Sequence, residues 1–188
     1  MNDLEQHLAN AAEKLRAGGV IAYPTEAVYG LGCDPRNEAA VAHLFMLKRR
    51  PQTHGVLLIA ADFEQAKEFI DLPAVSAEAL ARAQATWPGP HTWVFPRASG
   101  TPSWLTGAHE GIALRVTAHP LASALCRACG GAIVSTSANR HGEPPTRTAD
   151  EVRAAFGEDL AYILAGETGG LARPTPIRDV VTGREIRS

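Results

Sequence analysis

A single α/β domain built on a mixed sheet is the architecture that this sequence predicts. Three observations lead there. Short apolar runs alternate along the chain with segments that repeat apolar residues at helical spacing. Gly, Pro, Asn and Asp, the residues of turns, fall between these segments. The strand-like runs cluster between residues 92 and 116, which departs from a simple doubly wound alternation and makes the sheet mixed. With 188 residues the chain has the length of one domain, taken as 1–188.

The elements follow in order. Leu4, Leu8, Ala11, Ala12 and Leu15 recur at helical spacing, and Gly18-Gly19 can end that helix. Val20-Ile21-Ala22-Tyr23 reads as a strand stopped by Pro24, and residues 24–36 read as loop. Asn37 can cap a helix that turns Val41, Leu44 and Phe45 to one face and runs into Lys48-Arg49-Arg50, where Pro51 halts it. Val56 to Ala60 reads as a strand buried on both faces. Asp62 followed by Gln65 resembles a capping box that opens a third helix. Residues 76–86 look helical and stop at Trp87-Pro88-Gly89-Pro90. Strands are expected at 92–95 and 112–116, a helix from His119 to Cys129, and a strand from Ala132 to Ser135 feeding a polar run. Thr148-Ala149-Asp150-Glu151 is a second capping box, before Val152 and Phe156, and strands are expected at 160–164 and 177–181. Residues 140–148 are the best candidate for a mobile loop.

Composition excludes several classes. Hydrophobic residues make up 45% and charged residues 20%, ordinary globular usage. The net charge of −2 means that any basic site is local and that the whole molecule is no electrostatic trap for nucleic acid. Three cysteines and an acidic start, Met1-Asn2-Asp3-Leu4-Glu5, point to a reduced compartment, with the cytoplasm as the expected location. No apolar run approaches the roughly 18 residues of a membrane span.

Most familiar catalytic motifs are missing. There is no GxxxxGK[ST] phosphate loop, and Gly30-Leu31-Gly32 begins like a dinucleotide fingerprint but has Pro35 at the third glycine position. Neither Ser135 nor Ser137 lies in a GxSxG elbow. Cys126 and Cys129 form a lone CxxC inside an apolar helical pattern, which favours buried structural thiols. The seven histidines form no close metal-ligand pair, so no protein-bound structural metal is expected.

Four fragments remain, each with a plain structural alternative. Pro24-Thr25-Glu26-Ala27-Val28-Tyr29-Gly30-Leu31 follows the first strand, where open α/β sheets place ligands, and reads equally as a turn with a hydroxyl cap. Lys48-Arg49-Arg50-Pro51 can complement a helix dipole in solvent, or Lys48 and Arg50 can converge on a polyanion. Ser135-Thr136-Ser137-Ala138-Asn139 offers hydroxyls, an amide and backbone N–H groups to phosphate, ribose or carboxylate, or forms a polar turn. Arg115 interrupts an apolar strand and is expensive to bury unless it meets an anion, either a ligand or a structural partner.

Together these fragments resemble the YrdC/TsaC family of threonylcarbamoyl-AMP synthases. The family's Lys-x-Arg is similar to Lys48-Arg49-Arg50, and its Ser-x-Asn to Ser137-Ala138-Asn139. Residues 24–31, Trp87-Pro88-Gly89-Pro90 and Arg115 match further family features, and the length resembles the short, single-domain form. The resemblance runs from about residue 18 to the C-terminus. It implies a twisted sheet with flanking helices around a basic cavity. It also implies condensation of L-threonine, bicarbonate (or CO2) and ATP to threonylcarbamoyl-adenylate and pyrophosphate, with Mg2+ carried in by ATP. Downstream proteins would pass the threonylcarbamoyl group to an adenosine beside the anticodon of certain tRNAs. On this resemblance Lys48 and Arg50 face the phosphates, Thr25, Arg115 and Thr175 hold threonine, and Ser135, Ser137, Asn139 and Arg187 contact the nucleotide. His91, His54-Gly55 and Arg178 depart from the family pattern and bear on local cavity shape. Two rivals differ in class. One is a non-catalytic RNA-binding module, which the few aromatic residues argue against. The other is a serine hydrolase using Ser135 or Ser137, for which no base is assigned.

Overall fold

The computed structural model describes residues 3–172 and 175–187. Met1 and Asn2 of the acidic start, and Pro174 beside Thr175, lie outside the described residues. The first helix, α1 (Asp3–Arg16), begins with Asp3 and Glu5 and ends with Lys14 and Arg16, so its charges oppose the helix dipole. Then come β1 (Ile21–Pro24), β2 (Tyr29–Gly32), α2 (Glu38–Lys48), β3 (Leu57–Ala60), α3 (Ala77–Gln84) and β4 (Thr92–Pro96). The short α4 (Ser103–Thr106) leads to β5 (Gly111–Val116), α5 (Pro120–Cys129) and β6 (Ile133–Ser137). The chain closes with α6 (Ala149–Phe156), β7 (Tyr162–Ile163), β8 (Ile177–Asp179) and β9 (Glu185–Arg187). No helix among the described residues is long and apolar enough to cross a membrane.

Among the described residues nine strands form one mixed sheet in the order β7-β1-β2-β6-β3-β5-β4-β8-β9. β3 runs parallel to β5, and β6 is antiparallel to both β2 and β3. Side chains alternate between the two faces of each strand. On one face Leu31, Leu58 and Val134 pack with Val41, Leu44 and Phe45 of α2 and Val152 and Phe156 of α6. On the other, Ile21, Tyr23, Ile59 and Ile133 pack under Leu15 of α1 and Leu125 of α5. Beyond the reach of α1 and α5 this second face is open, and there lies the cavity described below.

Most predicted elements form, and the capping residues act as their types dictate. Asn37 accepts the Ala40 N–H at 3.0 Å, and His119 caps α5. Thr148 and Glu151 complete a capping box on α6. Four expectations change. Residues 24–36 are not all loop, because β2 forms within them. Gly32 hides it: a Cβ there would stand 2.5 Å from the Val134 carbonyl oxygen and 2.8 Å from the Tyr23 ring. The strand is glycine-rich because its neighbours press close.

The Asp62 turn closes as a capping box would, with Gln65 N–H on Asp62 Oδ1 at 3.0 Å, yet no α-helix follows. Short 3-10 turns at Lys67–Phe69 and Leu72–Ala74 take its place. Ile70 is drawn into a β-bridge with Arg97, and Pro73 lacks the N–H that a helix would use. The polar run is strand as far as Ser137. Finally, α4 and β9 form where no element was expected, and Glu185 of β9 pairs with Arg178 at 3.6 Å, which accounts for a cation in β8.

Candidate active site

Register puts the separated motifs together. Leu57 stands opposite Ala113 on one side and Ser135 on the other, and Gly30 stands opposite Ser137. Residues two apart on a strand share a face, so Ala113 and Arg115 of β5 and Ser135 and Ser137 of β6 point to the same side of the sheet. They floor a cavity of about 570 Å³. Thr25, Arg50, Arg115, Ser135, Ser137, Asn139, Thr175 and Arg187 all line it. The described lining includes three arginines and two histidines and no carboxylate. A protein of net charge −2 thus carries a local cationic pocket.

The basic cluster divides three ways. Arg49 adopts the left-handed conformation at φ 51°, and its N–H and that of Arg50 return to the last carbonyls of α2. This reversal leaves Arg49 exposed, buries Lys48 to 3% and sends Arg50 into the cavity. Arg50 is steadied by Nη2 donation to Gly55 O at 3.1 Å and by lying over the Phe45 ring. Burial, then the nearby Arg187 cation, lowers its pKa. Lys48 does not line the cavity directly. Its ammonium donates to the carbonyls of Ser137 and of Asn139, the latter at 2.9 Å. Burial and the Arg50 charge push Lys48 down to about 8.

The 137–139 turn is held from several sides. Ala138 N–H reaches Tyr29 O at 2.8 Å, and Asn139 Nδ2 reaches Glu143 O at 2.8 Å. Asn139 Oδ1 and Thr136 Oγ1 are buried without a hydrogen-bond partner among the described residues, so this end of the cavity retains unused oxygen acceptors. Gly30 keeps the floor low: a Cβ would come within 3.3 Å of Thr25 Cγ2 and 3.4 Å of Ser135 Oγ. Thr25 itself turns its hydroxyl to Val28 O at 2.7 Å, tightening the β1–β2 turn.

Arg115 has the structural anion that its isolation in an apolar strand called for, and it also borders the cavity. It faces the cavity, donates through Nη1 to Thr175 Oγ1 at 2.8 Å, and pairs through Nη2 with Glu26 Oε2 at 3.4 Å. The motif alone gives Glu26 no role. The signal for it is nonetheless present, because a buried arginine calls for a buried anion and residues 24–31 hold a single acidic side chain. His54 also lines the cavity, stacked on His141 with ring centroids 6.0 Å apart, a contact that no local pattern announces. The cysteines stay apart: Cys33 and Cys126 are buried, burial raises both thiols, and it pushes Cys129 up to about 11.

An open sheet face lined with arginines, hydroxyls and one amide defines an α/β domain for a small polyanionic ligand. The model of the Sua5/YciO/YrdC family, described as telomere recombination, matches residues 13–187, and the chain belongs to this family. It is 52% identical over 184 residues to a threonylcarbamoyl-AMP synthase of Stenotrophomonas maltophilia, covering 98% of this chain and 99% of that one. A threonylcarbamoyl-AMP synthase of Coxiella burnetii is 50% identical over 187 residues, covering 100% of both chains. The structure of P. abyssi Sua5 complexed with L-threonine matches with a TM-score of 0.85 and 32% identity, over 92% of this chain. The chain spans about half of that Sua5, 50% of its length.

Proposed function

We propose that this chain is an L-threonylcarbamoyladenylate synthase, condensing L-threonine, bicarbonate or CO2, and ATP to threonylcarbamoyl-AMP and pyrophosphate. The observation that carries the reading is the convergence of Thr25, Arg50, Arg115, the 135–139 run, Thr175 and Arg187 on one cationic cavity. Relatives that match nearly their whole length carry that name.

The threonine amine adds to the carbon of CO2, forming an N–C bond and releasing a proton to give a carbamate. A carbamate oxygen then attacks the α-phosphorus of ATP, and the bond to the bridging oxygen breaks as pyrophosphate leaves. No protein nucleophile takes part. The chain's contribution is to position three reactants and to offset phosphate charge in a fixed polar environment. Arg115 and Thr175 receive the amino acid, with Thr25 beside them. Arg50 and Arg187 face the triphosphate, and Ser135, Ser137 and Asn139 contact the nucleotide. Lys48 acts from behind, holding the 137–139 turn and adding its charge to that of Arg50.

Mg2+ enters with ATP. Among the described residues no acidic or His/Cys cluster is arranged to hold a metal, whereas Asn139 Oδ1 and the Ser137 hydroxyl suit an ion carried by phosphates. Such an ion would neutralise charge on the departing pyrophosphate. The product is a mixed anhydride, activated for transfer; its expected acceptor is tRNA in the cytoplasm, reached through a threonylcarbamoyl-transferring protein, with direct RNA contact by this chain. The test is pyrophosphate release from ATP. Release that needs both L-threonine and bicarbonate is expected. Release independent of either sinks the assignment, and salt-sensitive RNA binding without adenylate formation favours the RNA-binding rival.

A further inference from the structure

Glu26 lies behind the cavity wall, in the β1–β2 turn, with its side chain 8% exposed. Its Oε1 accepts the Thr117 hydroxyl at 2.7 Å and the Ala118 N–H at 3.2 Å. Thr117 Oγ1 also accepts the N–H of His119, which caps α5. The carboxylate is therefore fixed to the turn that leaves β5, two residues beyond Arg115. Its other oxygen faces Arg115 Nη2 at 3.4 Å, while Arg115 Nη1 is tied to Thr175. One hydrogen bond, to Thr175, and one charge contact, to a Glu26 Oε2 that has no hydrogen-bond partner among the described residues, orient a guanidinium that presents its N–H groups in a rigid fork.

The backbone of Glu26 does a second task. Its carbonyl accepts the Leu171 N–H at 3.0 Å, and the Thr25 carbonyl accepts the Gly169 N–H at 2.9 Å. Gly169 must be glycine for this: a Cβ there would lie 2.9 Å from Glu26 O and 3.0 Å from Glu26 Cα. The segment pinned in this way is 169–171.

We propose that Glu26 is a positioning residue for the amino-acid half of the cavity: its buried carboxylate holds Arg115 in the orientation that receives the substrate carboxylate, and its backbone carbonyl anchors the 169–171 segment. This rests on reading the cavity as the threonine-adenylating site. An arginine held before the substrate arrives loses little freedom on binding, so the benefit appears in amino-acid affinity and not in the phosphate chemistry. The carboxylate also supplies the counter-charge without which Arg115 would be a lone buried cation.

The experiment compares wild type, Glu26→Gln, Arg115→Met and the double variant in the pyrophosphate-release assay. Glu26→Gln keeps the shape and removes the charge. It is expected to raise KM for L-threonine on the order of 10- to 100-fold, as for an unsatisfied buried polar group, with KM for ATP within about twofold. Because Glu26 acts through Arg115, the double variant is expected to have the threonine KM of Arg115→Met alone. Calorimetry adds a second readout: Glu26→Gln should weaken binding of L-threonine but leave that of L-threoninamide, which lacks the carboxylate, unchanged. An equal rise in both KM values, multiplying effects in the double variant, or equal loss for the amide overturns the proposal. If Glu26→Gln does not fold, the double variant, which has neither charge, is compared with Arg115→Met. An equal threonine KM supports the proposal, and a further rise overturns it. Threonine-dependent release in wild type with an unaffected Glu26→Gln overturns this proposal alone. Threonine-independent release in wild type overturns the function and the proposal with it.

Discussion

Three consecutive cations, Lys48, Arg49 and Arg50, meet three different environments, and the physics of each follows from one backbone reversal. A left-handed φ of 51° is unusual for a residue with a Cβ, and here it separates the solvated Arg49 from its two inward neighbours. Lys48 is the most perturbed cation, at about 8, because burial strips its ammonium of water and Arg50 repels it. The sign of its response to ATP follows. A polyanion beside Arg50 favours the charged form of Lys48 and raises its pKa, so a proton is taken up on binding. Near pH 8, where Lys48 titrates, ATP binding is expected to take up a fraction of a proton. Uptake should fade towards pH 6. Calorimetry in buffers of different ionisation enthalpy checks this, and Lys48→Met should abolish the uptake. Uptake that persists in the variant would remove Lys48 from the account.

At the scale of elements, helices were more legible than strands because their signals are local. Asn37, Ser76 and Thr148 each accept the N–H three residues on, a contact that sequence spacing alone describes. The Asp62 turn shows the limit of that reasoning. Its cap contact forms, yet the following residues bridge to the end of β4 instead of forming a helix, because Ile70 and Asp71 find partners in Arg97 and Pro96. β2 was missed for a related reason. Two glycines in four residues look like a turn, but Gly32 is glycine because Val134 and Tyr23 leave no room for a Cβ. Gly32→Ala is therefore expected to cost about 1–3 kcal/mol, the range for overpacking a tight site, read as a lowered midpoint in urea unfolding. A neutral result would mean that β2 and β6 have slack between them.

At the scale of the whole molecule, the sheet order turns distant residues into neighbours. β6 lies between β2 and β3, so its polar run borders both the Pro-Thr-Glu turn and the β3–β5 pair that carries Arg115. The cations gather at one open face while the remaining surface leaves a net charge of −2, which concentrates attraction for a polyanion at the cavity. ATP with L-threonine, each near 100 times its dissociation constant, should raise the thermal midpoint by about 10–20 °C, since each ligand at that level adds about 2.7 kcal/mol. Thermal scans with each ligand alone and with both check this. A combined shift no larger than the threonine shift would mean that the nucleotide half of the cavity is empty.

Residue types and their spacing by themselves determined the α/β class, the capped helices, and the four fragments from which the site is built. They also determined that Arg115 needs an anion, since an apolar strand cannot hold a lone cation. Only the tertiary structure decided that Glu26 is that anion, that Lys48 turns to the Ser137 and Asn139 carbonyls instead of into the cavity, and that His54 stacks on His141. The reason is physical. Capping and periodicity act over three or four residues and are written locally. Ion pairs, tight glycine contacts and the direction of a side chain after a reversal depend on which strands the fold brings side by side, across separations of 89 residues for Lys48 to Ser137 and 91 for Thr117 to Glu26.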